Sequence, residues 1–362
     1  MMRVPEFRYL APTTVDEVAR LLAEHGPEAM LMAGGTDLIP NLKRRQQTPK
    51  VVVGLRAVAE LKTAKIGPKG VTLGAGITLA DAARSPLLSR GHRAVQMAAG
   101  RVATPQIQNM GTLGGNLCLD TRCNYYDQSW DWRKAIDFCK KAPGPQGVAQ
   151  KVVDEARTGT CWVAPGSPRC WAVSSTDCAP ALAALGASVT LVSAEGRRTI
   201  PVLNLYKNDG MDYLAGRKPG EVLTSIDVPL LDPHAGWRST YWKLRRRGSF
   251  DFPVLSVAAA FKRNAAGEVE EARVVLGSVA SCPIAVPTES LIGKKLTDDV
   301  IKAFLPIAAK PARPLDNTDF HLSWRKRVVE SWVAGALGDI RGDDPSKSLL
   351  ARTAARLLPV AG

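Results

Sequence analysis

The stretch ATPQIQNMGTLGGNLCLDTRC, residues 103–123, decides how this chain folds. Gly111, Gly114 and Gly115 punctuate it, with Thr112 and Asn116 as short polar side chains beside them. Glycine permits positive φ and leaves consecutive backbone N–H groups free to converge on an anion. A second turn of this kind, AGGTDLIP at 33–40, follows the apolar run EAMLM and adds the Thr36 hydroxyl. Two such turns in one domain suit the two phosphates of a pyrophosphate. Read without a ligand, both are tight strand exits. Neither is a Walker loop, because no Lys-Ser or Lys-Thr follows the glycines, and neither matches G-x-G-x-x-G.

Around these turns the pattern predicts alternating helices and strands. TVDEVARLLAEH (14–25) is amphipathic, with Thr14 and Glu17 as a capping box and Gly26 as the stop. EAMLM and KVVVGL (50–55) read as strands, and GVTLGAGITLADAARSPLL as strand, glycine turn and a helix behind Thr78. A helix is expected over 91–105 and a helix, strand and hairpin over DCAPALAALGASVTLVSAEGRRTIPV. Past a boundary near 230–240, two long strands flank an Asn264–Gly267 turn, followed by helices at 297–309 and 322–336.

The 362 residues favour two domains, and 45% apolar with 23% charged residues is an ordinary globular composition. No apolar run reaches the roughly 18 residues of a membrane span. The start, MMRVPEFRYLAPTT, lacks a signal-peptide core, which predicts a cytoplasmic location. The net charge of +14 is spread over short clusters at 43–45, 245–247 and 325–327, with no aromatic stacking motif among them. That argues against nucleic acid and leaves solvated surface or a docking face for an acidic redox partner.

Six of the seven cysteines, Cys118, Cys123, Cys139, Cys161, Cys170 and Cys178, crowd into one region, and Cys282 stands apart. Residues 120–172 also hold Trp130, Trp132, Trp162 and Trp171 without an apolar period, as an insertion would. Four thiolates complete either a Cys₄ zinc site or a [4Fe–4S] cluster, and the absence of any C-x-x-C leaves spacing undecided between these and free buried thiols. His25, His92, His234 and His321 lie in no catalytic or metal-binding spacing.

In their order, AGGTDLIP, GAGITLAD, ATPQIQNMGTLGGNL and DCAPALAALGA resemble the FAD-binding subunit of the molybdenum hydroxylases, the family of xanthine dehydrogenase and carbon monoxide dehydrogenase flavoproteins. The stretches SVAAAF, VLGSVASCPIAVPTESLIGKKL and SWRKRVVESWV resemble the C-terminal domain of that family. The resemblance implies an α+β fold. A two-subdomain FAD-binding domain of the vanillyl-alcohol-oxidase (PCMH) type would span 1–232, with subdomains of about 1–60 and 61–232 and a Cys-rich insertion over about 118–172. A smaller α+β flavoprotein domain would follow over 236–345, then a tail, 346–362. It also implies that the backbone of Leu31, Met32, Ala33, Gly34, Gly35, Thr36 and Asp37, with that of Gly111, Thr112, Gly114, Gly115 and Asn116, wraps the FAD pyrophosphate. Asp177 would lie near the ribityl and ribose hydroxyls, and Lys243 would approach the flavin. Capping of the helix ahead of Pro180 is the alternative for Asp177.

LCLDTRCNYYDQSWDWRKAIDFC and CWVAPGSPRC further resemble the insertion in the FAD subunits of 4-hydroxybenzoyl-CoA reductases, where four cysteines hold an additional [4Fe–4S] cluster. That assigns Cys123, Cys139, Cys161 and Cys170 as ligands and leaves Cys118, Cys178 and Cys282 as small apolar residues. The intervening KKAPGPQGVAQKVVDEARTGT is longer than the family pattern and includes a helical piece, QKVVDEAR. The implied activity is electron relay without a catalytic acid or base. The complex would hold a molybdenum-cofactor subunit and a [2Fe–2S] subunit, as a heterotrimer or its double, with a ferredoxin-like donor or acceptor. Its substrate would be 4-hydroxybenzoyl-CoA, dehydroxylated reductively. Alternatives are a related complex oxidising another aromatic or heterocyclic acyl-CoA, and a zinc-stabilised binding module.

Overall fold

The computed structural model describes residues 3–142, 159–248 and 250–344. The expected helical piece QKVVDEAR and the tail 346–362 lie outside the described residues. Three sheets organise the rest. Strands β1 (Arg8–Leu10), β2 (Ala29–Met32) and β3 (Val51–Gly54) form a parallel sheet in the order β1-β3-β2. Helix α1 (Val15–His25) covers it with Val15, Val18, Leu21 and Leu22, the apolar face that its periodicity predicts. The Thr14 hydroxyl accepts from Glu17 N–H, but the Glu17 carboxylate returns to Thr13 N–H instead of Thr14.

The second sheet is antiparallel, with β4 (Ala64–Gly67), β5 (Gly70–Gly74), β6 (Ser188–Ser193), β7 (Gly196–Pro201) and β8 (Val222–Pro229) in the order β4-β5-β8-β6-β7. Helices α2 (Leu38–Lys43), α3 (Leu79–Arg84), α4 (Arg93–Gly100), α5 (Pro105–Gln108), α6 (Leu113–Leu117), α7 (Trp130–Ala135) and α8 (Cys178–Ala184) follow the chain between and beside these strands. The helix expected over 91–105 ends at Gly100, and Ala103 adopts φ +43° before Pro105 opens a separate turn. Pro105 cannot donate an N–H back into a continuing helix. The turns that became α2, α6 and α7 are six residues or fewer, too short to show a period.

The third sheet, β9 (Trp237–Leu244), β10 (Leu255–Arg263), β11 (Val269–Gly277) and β12 (Ile284–Val286), runs antiparallel in the order β12-β11-β10-β9. Its central strand β10 is buried on both faces, which accounts for an unbroken apolar run instead of alternation. Val257, Ala259 and Phe261 pack under α9 (Asp298–Ala309) and α10 (Leu322–Arg341), while Ala258 and Ala260 join the core around α8. Helix α10 runs five residues past the expected end at 336, to a left-handed stop at Gly342. Among the described residues no helix is long and apolar enough to cross a membrane.

Candidate functional site: a flavin cleft beside a four-cysteine cavity

Strand β2 delivers residues 33–37 to the mouth of a cleft of about 1170 Å³ between the first two sheets. Gly35 has φ +72°, and a Cβ on Gly34 would lie 1.9 Å from the Met110 carbonyl oxygen. The two glycine turns therefore touch, backbone to backbone. Among the described residues the N–H groups of Gly34, Gly35 and Thr36 take no hydrogen-bond partner, leaving a donor-lined concavity suited to a pyrophosphate.

The second turn differs. Leu113 N–H bonds Ile77 O at 2.9 Å, Gly114 N–H bonds Ala75 O at 2.8 Å, and Gly115 N–H bonds Thr112 Oγ1 at 3.0 Å. These donors hold the turn itself, and a Cβ on Gly114 would meet the Ala75 Cβ at 2.6 Å. Gly114 is thus demanded by packing on β5's exit, and the turn contributes shape to the cleft more than free donors.

Every residue expected at the flavin lines this cleft except Lys243. Lys243 stands behind Asp177, its ammonium 3.0 Å from Asp177 Oδ2 and 2.9 Å from Arg101 O. Tyr241 Oη donates to Asp177 Oδ1 at 2.6 Å. Burial pushes the Asp177 carboxyl up from its ordinary range, and the Lys243 charge pulls against that. Asp177 makes no capping bond to α8: Asn116 Oδ1 accepts from Cys178 N–H at 3.0 Å and Thr176 Oγ1 from Ala179 N–H at 3.2 Å. The capping alternative is therefore not the one realised. Asp177→Ala would strand an ammonium whose side chain is 2% exposed. The expected loss is about 3–5 kcal/mol in a urea titration, with Asp177→Asn milder because it still accepts from Tyr241.

Downstream of the second turn, Cys123, Cys139, Cys161 and Cys170 are all buried and line one small cavity with Tyr125, Tyr126, Lys141 and Trp162. The structure thus brings together four thiols separated by up to 47 positions in the chain (170 − 123). Burial pushes the Cys123 and Cys170 thiols up to about 12 and raises that of Cys139. A soft cation that replaces their protons would relieve this cost. Among the described residues no three His, Cys, Asp or Glu side chains gather tightly enough for a single metal ion. Of the other cysteines, Cys118 lines the flavin cleft, Cys178 is fully buried at the start of α8 and Cys282 is half-buried.

A buried polar network welds the insertion to the cleft. Arg122 pairs with Asp37 of the first turn and, at 3.3 Å, with Asp127, while its guanidinium lies 4.7 Å from the Phe252 ring. Gly210 packs so closely that its Cβ would meet Cys170 Sγ at 2.8 Å, and the next residue, Met211, touches the cysteine cluster and lines the cleft. Sequence reasoning did not single out Arg122, Asp120, Lys141 or Gly210. They lie on three separate segments, so no local pattern in the sequence marks them.

Known proteins resemble this chain over most of its length. Residues 5–231 match the family model "FAD binding domain in molybdopterin dehydrogenase", and residues 239–340 match "CO dehydrogenase flavoprotein C-terminal domain". The chain is 27% identical to the glyceraldehyde dehydrogenase medium chain of Sulfolobus acidocaldarius, covering 91% of this chain and 95% of that one. It is 28% identical to the Escherichia coli aldehyde oxidoreductase FAD-binding subunit PaoB, covering 91% and 98%. Carbon monoxide dehydrogenase from Hydrogenophaga pseudoflava shares the fold, with a TM-score of 0.73 at 24% identity over 93% of this chain and 98% of that one. With the family's FAD-binding domain matched over residues 5–231 and its C-terminal domain over 239–340, this chain belongs to the FAD-binding subunits of the molybdenum hydroxylase family.

Proposed function

We propose that the chain is an electron-relay subunit that holds FAD in the cleft and a [4Fe–4S] cluster on Cys123, Cys139, Cys161 and Cys170. The observation that carries this reading is the convergence of those four buried thiols on one cavity sharing a wall with the cleft. When bound, the flavin supplies two-electron chemistry and the cluster one-electron chemistry. The chain's own residues bind, orient and exclude water. Gly34, Gly35 and Thr36 offer N–H donors to the pyrophosphate, Asp177 presents a carboxylate fixed by Tyr241 and Lys243, and Tyr125, Tyr126 and Trp162 shield the thiols. No side chain here serves as a general acid or base.

The molybdenum cofactor and the [2Fe–2S] centres would come from partner subunits, and a ferredoxin-like protein would exchange electrons with the cysteine side. The resemblance of the two cysteine segments favours reductive dehydroxylation of 4-hydroxybenzoyl-CoA. A second reading, oxidative dehydrogenation with electrons leaving through this subunit, is favoured by relatives named for glyceraldehyde, nicotinate and carbon monoxide dehydrogenases. The purified complex decides between them. The first reading expects benzoyl-CoA formation from 4-hydroxybenzoyl-CoA with a low-potential donor. Dye reduction by an aldehyde or heterocycle, with no such dehydroxylation, would support the second. Anaerobically purified chain is expected to carry about four iron and four labile sulfide per flavin, and zinc without flavin absorbance would contradict both readings.

A further inference from the structure

A single partition separates the flavin cleft from the cysteine cavity, and a buried ion pair crosses it. Asp120 lines the cleft and Lys141 lines the cavity. Their head groups meet at 2.7 Å, with each side chain 6% exposed. Lys141 Nζ also donates to Thr121 Oγ1 and to Gly210 O, both at 2.7 Å, so all three ammonium protons are directed. The Tyr126 and Tyr213 rings lie 4.7 and 5.3 Å from that nitrogen, and Tyr126 Oη holds Asp120 Oδ2 at 2.8 Å. The pair is a fixed dipole, positive toward Cys139 and Cys170 and negative toward the cleft. The neighbouring Arg122 and Arg44 are balanced by Asp37 and Asp127, so that network adds little polarisation of its own.

A buried ion pair is a poor source of stability compared with an apolar pair of the same volume. In a low-dielectric wall its field reaches both sides with little screening. We propose that the Asp120–Lys141 pair is a polarised partition that sets the gap between the two redox potentials, raising that of the cluster and lowering that of the flavin. The proposal rests on the cluster reading above. Each exchange moves one electron from one centre to the other with no atom changing place. An electron arriving on the cysteine side adds negative charge near an ammonium, and one arriving in the cleft adds it on the side that the carboxylate faces.

The test compares Lys141→Met, Asp120→Asn, the double variant and Lys141→Arg in the cofactor-loaded complex. Anaerobic redox titrations follow the cluster by electron paramagnetic resonance and the flavin by visible absorbance. Lys141→Met should lower the cluster potential and Asp120→Asn should raise that of the flavin. The double variant, which leaves no unpaired charge, should lower the cluster potential relative to that of the flavin by about tenfold in the electron-partition constant, roughly 59 mV for a one-electron couple. Lys141→Arg should keep the gap. An unchanged gap in the double variant with full iron and flavin would overturn the proposal, as would an arginine variant that behaves like methionine. If the double variant does not fold, Asp120→Asn alone decides by the flavin potential, since Lys141 keeps its two other acceptors. Wild-type protein without iron and sulfide would defeat the cluster reading itself, a result distinct from intact centres with an unmoved gap.

Discussion

Gly34→Val is expected to leave the chain folded but without flavin, with bound FAD below about one tenth of the wild-type content. A Cβ at position 34 would stand 1.9 Å from the Met110 carbonyl oxygen and 2.6 Å from its carbon, both backbone atoms. Met110 is fixed in turn by its N–H bond to Ile107 O and by Gly111 beside it, whose carbonyl accepts from Leu79 N–H. The clash cannot be relieved by rotating a side chain, so the turns must separate. Overpacking of this kind costs about 1–3 kcal/mol or more, and it falls on the turn whose Gly34, Gly35 and Thr36 N–H groups take no partner among the described residues. Gly35→Ala is the informative contrast. It suffers from φ +72°, but its Cβ would meet a movable Ile39 side-chain atom at 3.3 Å, so a loss of about 1 kcal/mol with flavin retained is expected. Flavin absorbance after desalting, read beside a melting curve, separates the two. Stoichiometric flavin in Gly34→Val would reject the assignment of this turn to the pyrophosphate.

Cys139→Ala is expected to remove the iron of one cluster, about four atoms per chain, while FAD stays bound. Alanine offers no donor, and the remaining thiols cannot complete four-fold ligation. The cleft is built from β2, α6 and the residues around them, none of which contains Cys139, so the flavin has no reason to leave. Cys282→Ala is the control and should keep its iron, because Cys282 does not line the cavity. Equal iron content in the two variants would remove Cys139 from the ligand set.

How far the sequence could be read depended on how local each cause was. Helix α1, strands β2 and β3 and the β10–β11 hairpin announce themselves through period, caps and a turn within a dozen residues. The glycines of both turns were legible as special, but the reason for Gly114 was not. It lies in the approach of Ala75, nearly forty positions away (114 − 75). Lys243 was legible as a basic residue near the site, but which way it faced depended on Asp177 reaching β9 from α8. The Asp120–Lys141–Gly210 contact joins three distant segments and leaves no period or spacing to find. Helix α10 outran its expected end because Gly338, a weak helix former, sits inside the helix while the stop is Gly342.

Diffraction from crystals of the anaerobically purified protein, measured on both sides of the iron absorption edge, addresses the central claim most directly. One compact, multi-iron anomalous peak enclosed by the sulfur atoms of Cys123, Cys139, Cys161 and Cys170 is expected, with flavin density in the neighbouring cleft. No iron signal there, or a lone zinc atom between the thiols, would contradict it.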